Sequence, residues 1–400
     1  MILLLSLTEL GGAATYTWTG ATTAWGTGSN WSPAGPPVAG DTANFTGIGS
    51  NPVITLSQGI DSIQFINFPH AYTFGVTGGT AFFTISNGGV NNSLLGATAV
   101  NQTFNLSGGG TLLFNSSSAD INSTGKVTYN VDGSPMYFIP SGDAGKAAIN
   151  LTNTATLGFN FSSTADQAVI NAQSGSSISV LNSSMLDSAT ITLNSSTLTY
   201  NSSVTTSNAS IAMSNGSTFT TAALQVDRLS SASSTDQINI NGTYLAIGGS
   251  STGDLITGKI SGTGIFDYFG SGDVTLLNAG NDYTGLTVVE SGKIIANVST
   301  LPTGGTIQTH ANGTIVFNDT SNGSFTGTIV NSGTILYTGS ATTILTGEIS
   351  NGGSVVVDSP ALGTLTINNS TVSLSNALVT SGSLVIPFLQ CPNTTIDVDG

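Results

Sequence analysis

Charge is what this sequence has least of. Only 6% of its 400 residues are Asp, Glu, Lys or Arg, against about 25% in an ordinary globular domain. Lys126, Lys146, Arg228, Lys259 and Lys293 are the whole supply of cations. Neutralising a phosphate backbone takes clustered Lys and Arg, so nucleic acid is excluded as a partner. An anionic membrane surface is disfavoured on the same ground. Twenty acids against these five cations leave a net charge of -15.

Cysteine is almost missing as well. Cys391 stands alone, so no intramolecular disulfide forms and a disulfide-stapled extracellular module is excluded. Long apolar runs are absent too. Residues 1–14, MILLLSLTEL followed by Gly-Gly-Ala-Ala, read as part of a secretion signal with a small-residue cleavage site at Ala14 and no basic start. That run is too short to span a bilayer, and nothing downstream approaches ~18 continuous apolar residues. Direct membrane insertion by this chain is not expected. Strong helix formers are scarce while Ser, Thr, Val and Ile abound, which points away from helices and toward strands.

The usual constellations of chemistry are also lacking. His70 and His310 have no Cys, Asp or second His at a metal-ligand spacing, and both read as bystanders. Asp397 and Asp399 would share one face of a strand, but two carboxylates fall short of the six to eight oxygens that calcium takes. Asp227 and Arg228 are adjacent, hence on opposite faces of a strand, and the next acid is Asp236. No Gly-x-Ser-x-Gly elbow is placed between a strand and a helix. The reading is therefore no catalytic residue, no metal and no cofactor.

What is present is glycine, 51 residues of it, and hydroxyl and amide side chains in bulk. The apolar residues among them are ordered. They alternate in runs such as Thr111-Leu112-Leu113-Phe114 and Ser177-Ile178-Ser179-Val180-Leu181, the period of a strand with one face in a core. Asn-Gly, Ser-Gly and Gly-Gly turns separate the runs. Phrases opening at Asn312, Asn331 and Asn351 recur about 20 residues apart, as one turn of a three-sided parallel coil requires. An array of Ig-like domains would repeat near 100 residues, with a core tryptophan in each copy. The fold predicted is all-β, an elongated right-handed parallel β-helix. Its strand-rich length would make roughly 17 coils, on the order of 80 Å of stacked strands.

All three tryptophans, Trp18, Trp25 and Trp31, lie within residues 15–50, together with Pro33, Pro36 and Pro37. A solenoid must cover its open end, so this block reads as an N-terminal aromatic cap, with a sugar-stacking platform as the alternative use of the same rings. Its positions Trp18, Gly20, Asn30, Trp31, Gly40, Asp41, Ala43 and Phe45 resemble the opening of exported, repeat-rich bacterial surface proteins. Extra aromatics follow at Phe65, Phe68, Tyr72, Phe74, Phe82, Phe83 and Phe104, which predicts the bulkiest core in the first coils. Asn-Ser pairs at Asn182, Asn194 and Asn201 read either as turns or as an asparagine stack inside the coil.

The clearest phrase lies at residues 258–297. Asn281, Tyr283, Thr284, Gly285, Thr287, Val289, Gly292 and Ile294 resemble the core of the autotransporter-associated β-strand repeat, with Leu286 where that family usually carries a second glycine. The resemblance implies the passenger, or part of one, of a bacterial autotransporter-like protein, held at the cell surface or outside it. Its implied role is a non-catalytic rod for adhesion or surface display, with host-surface or matrix molecules or glycans as partners. No terminal block of amphipathic strands reads as the membrane barrel of that family. Two other classes share the predicted fold: a carbohydrate-active β-helix enzyme, which needs a clustered acid pair with a cation on one face, and a phage or virus fibre. The expected layout is a partial signal at 1–14, a cap at 15–50, Ser/Thr/Asn-rich coils at 51–257, the repeat at 258–297, further coils at 298–388 and an irregular tail at 389–400.

Overall fold

The computed structural model of the chain describes residues 13–46, 52–57, 59–64, 70–78, 82–92, 100–121, 126–248, 253–369, 372–386 and, by backbone alone, 395–398. All but the last two residues of the secretion-signal reading at 1–14, the aromatics Phe65 and Phe68, and Cys391 lie outside these residues. The chain divides into two compact units, Met1–Val169 and Ile170–Gly400, and each is a right-handed parallel β-solenoid.

The first unit opens with the tryptophan block. Strand Thr15–Trp18 pairs antiparallel with Trp31–Ser32 and parallel with Thr42–Asn44. Trp18, Trp25 and Trp31 are each at most 3% exposed. Trp31 meets Trp18 and Trp25 edge-on at 4.9 and 4.7 Å, and Trp25 meets Phe83 at 5.4 Å. The rings therefore fill the start of the core, and no face is free to stack on a sugar. The polar residues of the block hold the loops around them. Asn30 donates to Ala24 O and Thr22 Oγ1, both at 2.7 Å, and Asp41 accepts the backbone N–H groups of Ala14 and Val38.

Beyond the block, parallel strands stack one coil on the next. Thr73–Thr77, Gln102–Ser107, Val127–Asp132 and Ala148–Thr152 form one wall. Phe82–Asn91, Thr111–Asn115, Pro135–Ile139 and Thr156–Phe159 form another. In-register pairing puts like side chains over like, so rings stack along the core. Phe74, Phe104 and Tyr129 follow at 4.6 and 4.9 Å, and Phe114, Phe138 and Phe159 at 5.0 and 4.9 Å. Phe82 departs from the expected aromatic core. It is 65% exposed while its neighbour Phe83 is buried, because adjacent strand residues face opposite ways.

In the second unit the repeat step is literal, with Ile315 paired to Ile335 and Ile335 to Val355. Inward positions of the Ser/Thr-rich coils, such as Ile178, Val180, Leu198 and Tyr200, are buried, and their hydroxyl neighbours face out. A separate four-stranded parallel sheet runs through Gly323–Phe325, Thr342–Leu345, Thr364–Ile367 and Ser383–Val385. The expected irregular tail contains a strand, Thr395–Val398, paired with Asn376–Ser381.

The asparagines of the three Asn-Ser pairs, Asn182, Asn194 and Asn201, lie outside the core. Asn182 takes a left-handed turn geometry with φ 56°, and Asn201 is exposed. Asn194 accepts the side-chain amide of Asn215 at 2.9 Å on the exposed face. In the first unit Asn105, Asn130 and Asn150 form an outward ladder with steps of 2.9 and 3.0 Å. An asparagine in the apolar interior would leave amide groups unpaired above and below its own ladder, which favours the wetted face.

Candidate functional site

Strands Thr218–Val226, Gln237–Ile247, Ile265–Tyr268, Thr287–Ala296 and Ile307–Phe317 stack in parallel in the second unit. Val226, Ile247, Tyr268, Val289 and Thr309 come into register and point inward, each no more than 1% exposed. The residues just before them, Gln225, Ala246, Asp267, Val288 and Gln308, form the next column and face the other way.

That outward face carries a groove of about 600 Å³. Tyr244, Ile265 and Leu286 line one side, and Phe269, Glu290 and His310 line the other. Leu286, from the 258–297 phrase, contributes to the first of these walls. Phe269 lies over Gly248, where an added Cβ would sit 2.0 Å from the ring and displace it.

Asp267 sits mid-column between Ala246 and Val288, with Ile265 and Phe269 on either side. Its Oδ1 atom is buried without a hydrogen-bond partner. Burial in these apolar surroundings, followed by the charge of Glu290, pushes its carboxyl up to about 6, against the opposing pull of His310 and of the Tyr268 backbone. Glu290 Oε2 and His310 Nδ1 are 3.2 Å apart, and His310 Nε2 lies 3.1 Å from the Gln308 amide. Two acids and a histidine thus meet on one face, although each comes from a different coil. His310, expected to be a bystander, has both ring nitrogens in contact with polar neighbours. The coil period narrows where such a trio could lie, but its step varies from coil to coil, so only the register between strands brings these three together.

Acids elsewhere hold corners. Asp236 is fully buried and accepts four hydrogen bonds, from the backbone of Gly216, Ser217 and Ser233 and from Ser231 Oγ. Asp319 accepts Val298 N–H and Thr343 Oγ1, and its carboxyl is raised by burial against those two bonds. Arg228 places Nη2 and Nε 2.6 and 3.2 Å from Asp254 Oδ1, one coil on. Asp227 adds only a lesser charge attraction, and the hydrogen bonds go to Asp254. His70 is half-buried and its carbonyl accepts the Gln102 amide. Among the described residues no group of three His, Cys, Asp or Glu side chains is placed to hold a metal ion. The side chains of Asp397 and Asp399 lie outside the described set.

The residues of the 258–297 phrase have structural positions. Asn281 links the coils on either side of it through Ile260 N–H at 2.7 Å and Thr300 O at 2.8 Å. Tyr283 is buried with its hydroxyl 2.6 Å from Thr287 Oγ1. Thr284 N–H donates to Gly262 O at 2.9 Å. Gly292 turns with φ 62°, and Val289 and Ile294 are core.

Fold and groove together define a class: a parallel β-solenoid protein with an acidic, aromatic-walled groove on one sheet face. Compared with known proteins, the chain matches no family model, no curated protein and no solved structure significantly.

Proposed function

We propose that this chain is a display and adhesion segment of an exported bacterial surface protein of autotransporter-passenger type. It is non-catalytic, and it meets host-surface, matrix or glycan partners through its outward sheet faces. The observation that carries this reading is the use made of the acids. Asp41, Asp236 and Asp319 accept corner N–H groups and Asp254 fixes Arg228, which leaves faces of hydroxyl and amide side chains suited to contact. The 258–297 phrase supplies the link to exported proteins. Immunolabelling of intact cells that make the protein tests the reading. Label on intact cells, removed by external protease, is expected, and label confined to permeabilised cells overturns it.

One observation favours a second reading, a carbohydrate-active enzyme. Asp267, Glu290 and His310 share a groove, and an acid held partly protonated near neutral pH beside a second carboxylate is an arrangement that glycoside cleavage uses. Turnover of neutral or acidic polysaccharides that is lost in Asp267→Asn would establish it. No turnover is expected.

A further inference from the structure

We propose that the groove over Asp267 and Glu290 receives a lysine side chain of a partner protein, its ammonium bridging the two carboxylates and its stem lying on Ile265, Leu286 and Val288. This deepens the adhesion reading and rests on it.

Charge complementarity carries the choice of occupant. The chain has a net charge of -15, and none of the residues lining the groove is Lys or Arg. Asp267 brings a buried oxygen with no partner into a wall otherwise made of Ala246, Ile265, Val288 and Phe269. Removing a carboxylate from water without a donor is costly, and a cationic donor repays more of that cost than a neutral hydroxyl does.

Lysine fits better than arginine. An ammonium is a compact charge with three donors that point different ways, which suits two carboxylates on neighbouring coils, whereas the guanidinium fork matches both oxygens of one carboxylate. The apolar wall accommodates a four-carbon stem whose head is charged. Tyr244 and Phe269, each partly exposed, border the site and favour a cation or an apolar neighbour of the lysine. A bare metal ion gains nothing from these walls, and a neutral sugar leaves the acid uncompensated.

The test uses the whole chain and the peptide acetyl-Gly-Phe-Lys-Phe-Gly-amide, with its Nε-acetyl counterpart and maltotriose as comparators, read by calorimetry or by chemical-shift changes. The lysine peptide is expected to bind at least tenfold more tightly than the acetylated one, and Asp267→Asn to weaken it by at least tenfold. Asp267 faces Tyr244 from the preceding coil and Glu290 and His310 from the following ones. Affinity should rise about tenfold between pH 5 and pH 7 as Asp267 ionises, and the rise should persist in His310→Gln. Equal binding of the two peptides, binding unchanged in Asp267→Asn, no binding of the lysine peptide, or binding of maltotriose alone each overturns the proposal. Surface labelling of cells is unaffected by any of these results, so the display reading stands or falls separately.

Discussion

The side-chain oxygen of Asn281 accepts the backbone N–H of Ile260, one coil earlier, at 2.7 Å. Its amide nitrogen donates forward to Thr300 O at 2.8 Å, and both bonds are buried. Asn281→Ala leaves two buried backbone groups without this partner, each costing about 1–3 kcal/mol. A loss of roughly 2–4 kcal/mol in urea unfolding of the second unit is expected on that basis. A change no larger than about 0.5 kcal/mol, the range of an ordinary surface substitution, would mean that water or neighbouring groups satisfy these atoms equally well.

Trp25 is fully buried between Trp31 and Phe83. Trp25→Ala should cost about 3–5 kcal/mol through lost area and the remaining cavity. Trp25→Phe should cost clearly less, because it also deletes an indole N–H that is buried without a partner. Equal losses in the two variants, measured by denaturant unfolding, would refute the packing account of the cap.

Gly285 and Gly304 are glycines for different reasons. A Cβ on Gly285 would stand 2.2 Å from Gly264 O, backbone against backbone. Gly304 has φ 71° and open space around it. Gly285→Ala must push two coils apart and should cost roughly 3 kcal/mol. Gly304→Ala meets only backbone strain, about 1 kcal/mol. The reverse order of urea midpoints would contradict the tight stacking at Gly285.

Asp267 has its carboxyl raised from 3.8 to about 6 by burial first and the Glu290 charge second. A group raised on folding binds its proton more tightly in the folded chain, so its favourable contribution is complete below about pH 4 and is lost as pH rises through about 6. Asp267→Asn removes that loss. The variant should be more stable than the parent at pH 8, by on the order of 1 kcal/mol once partial exposure is allowed for, and the gain should vanish near pH 4. Thermal melts of both proteins across this range provide the check, and an Asn variant less stable at pH 8 would show that the charged form is held favourably.

The strands were legible in the sequence for a local reason. Alternation decides which side chain faces in, and every coil repeats the decision, so the buried set Ile178, Val180, Leu198 and Tyr200 could be read directly. The repeat step could be read as well, since one coil of three short strands has a length that bond geometry limits. Phe82 was misplaced because a pair of adjacent phenylalanines does not say which of them faces the core; the register with the next coil does.

The groove could not be read in the same way. Asp267, Glu290 and His310 belong to three successive coils, and a shift of one residue in any of them would turn its side chain to the other face. The interval between coils is not constant. Ile315 pairs with Ile335, whereas Asp267 pairs with Val288, a step longer by one, so spacing alone does not say which polar residues meet. Sequence by itself determined that this chain coils into parallel β structure, because its alternation and glycine turns act within a few residues. The tertiary structure alone decided that an acid, a glutamate–histidine pair and the ring seated on Gly248 share one groove, because their meeting depends on the register between strands.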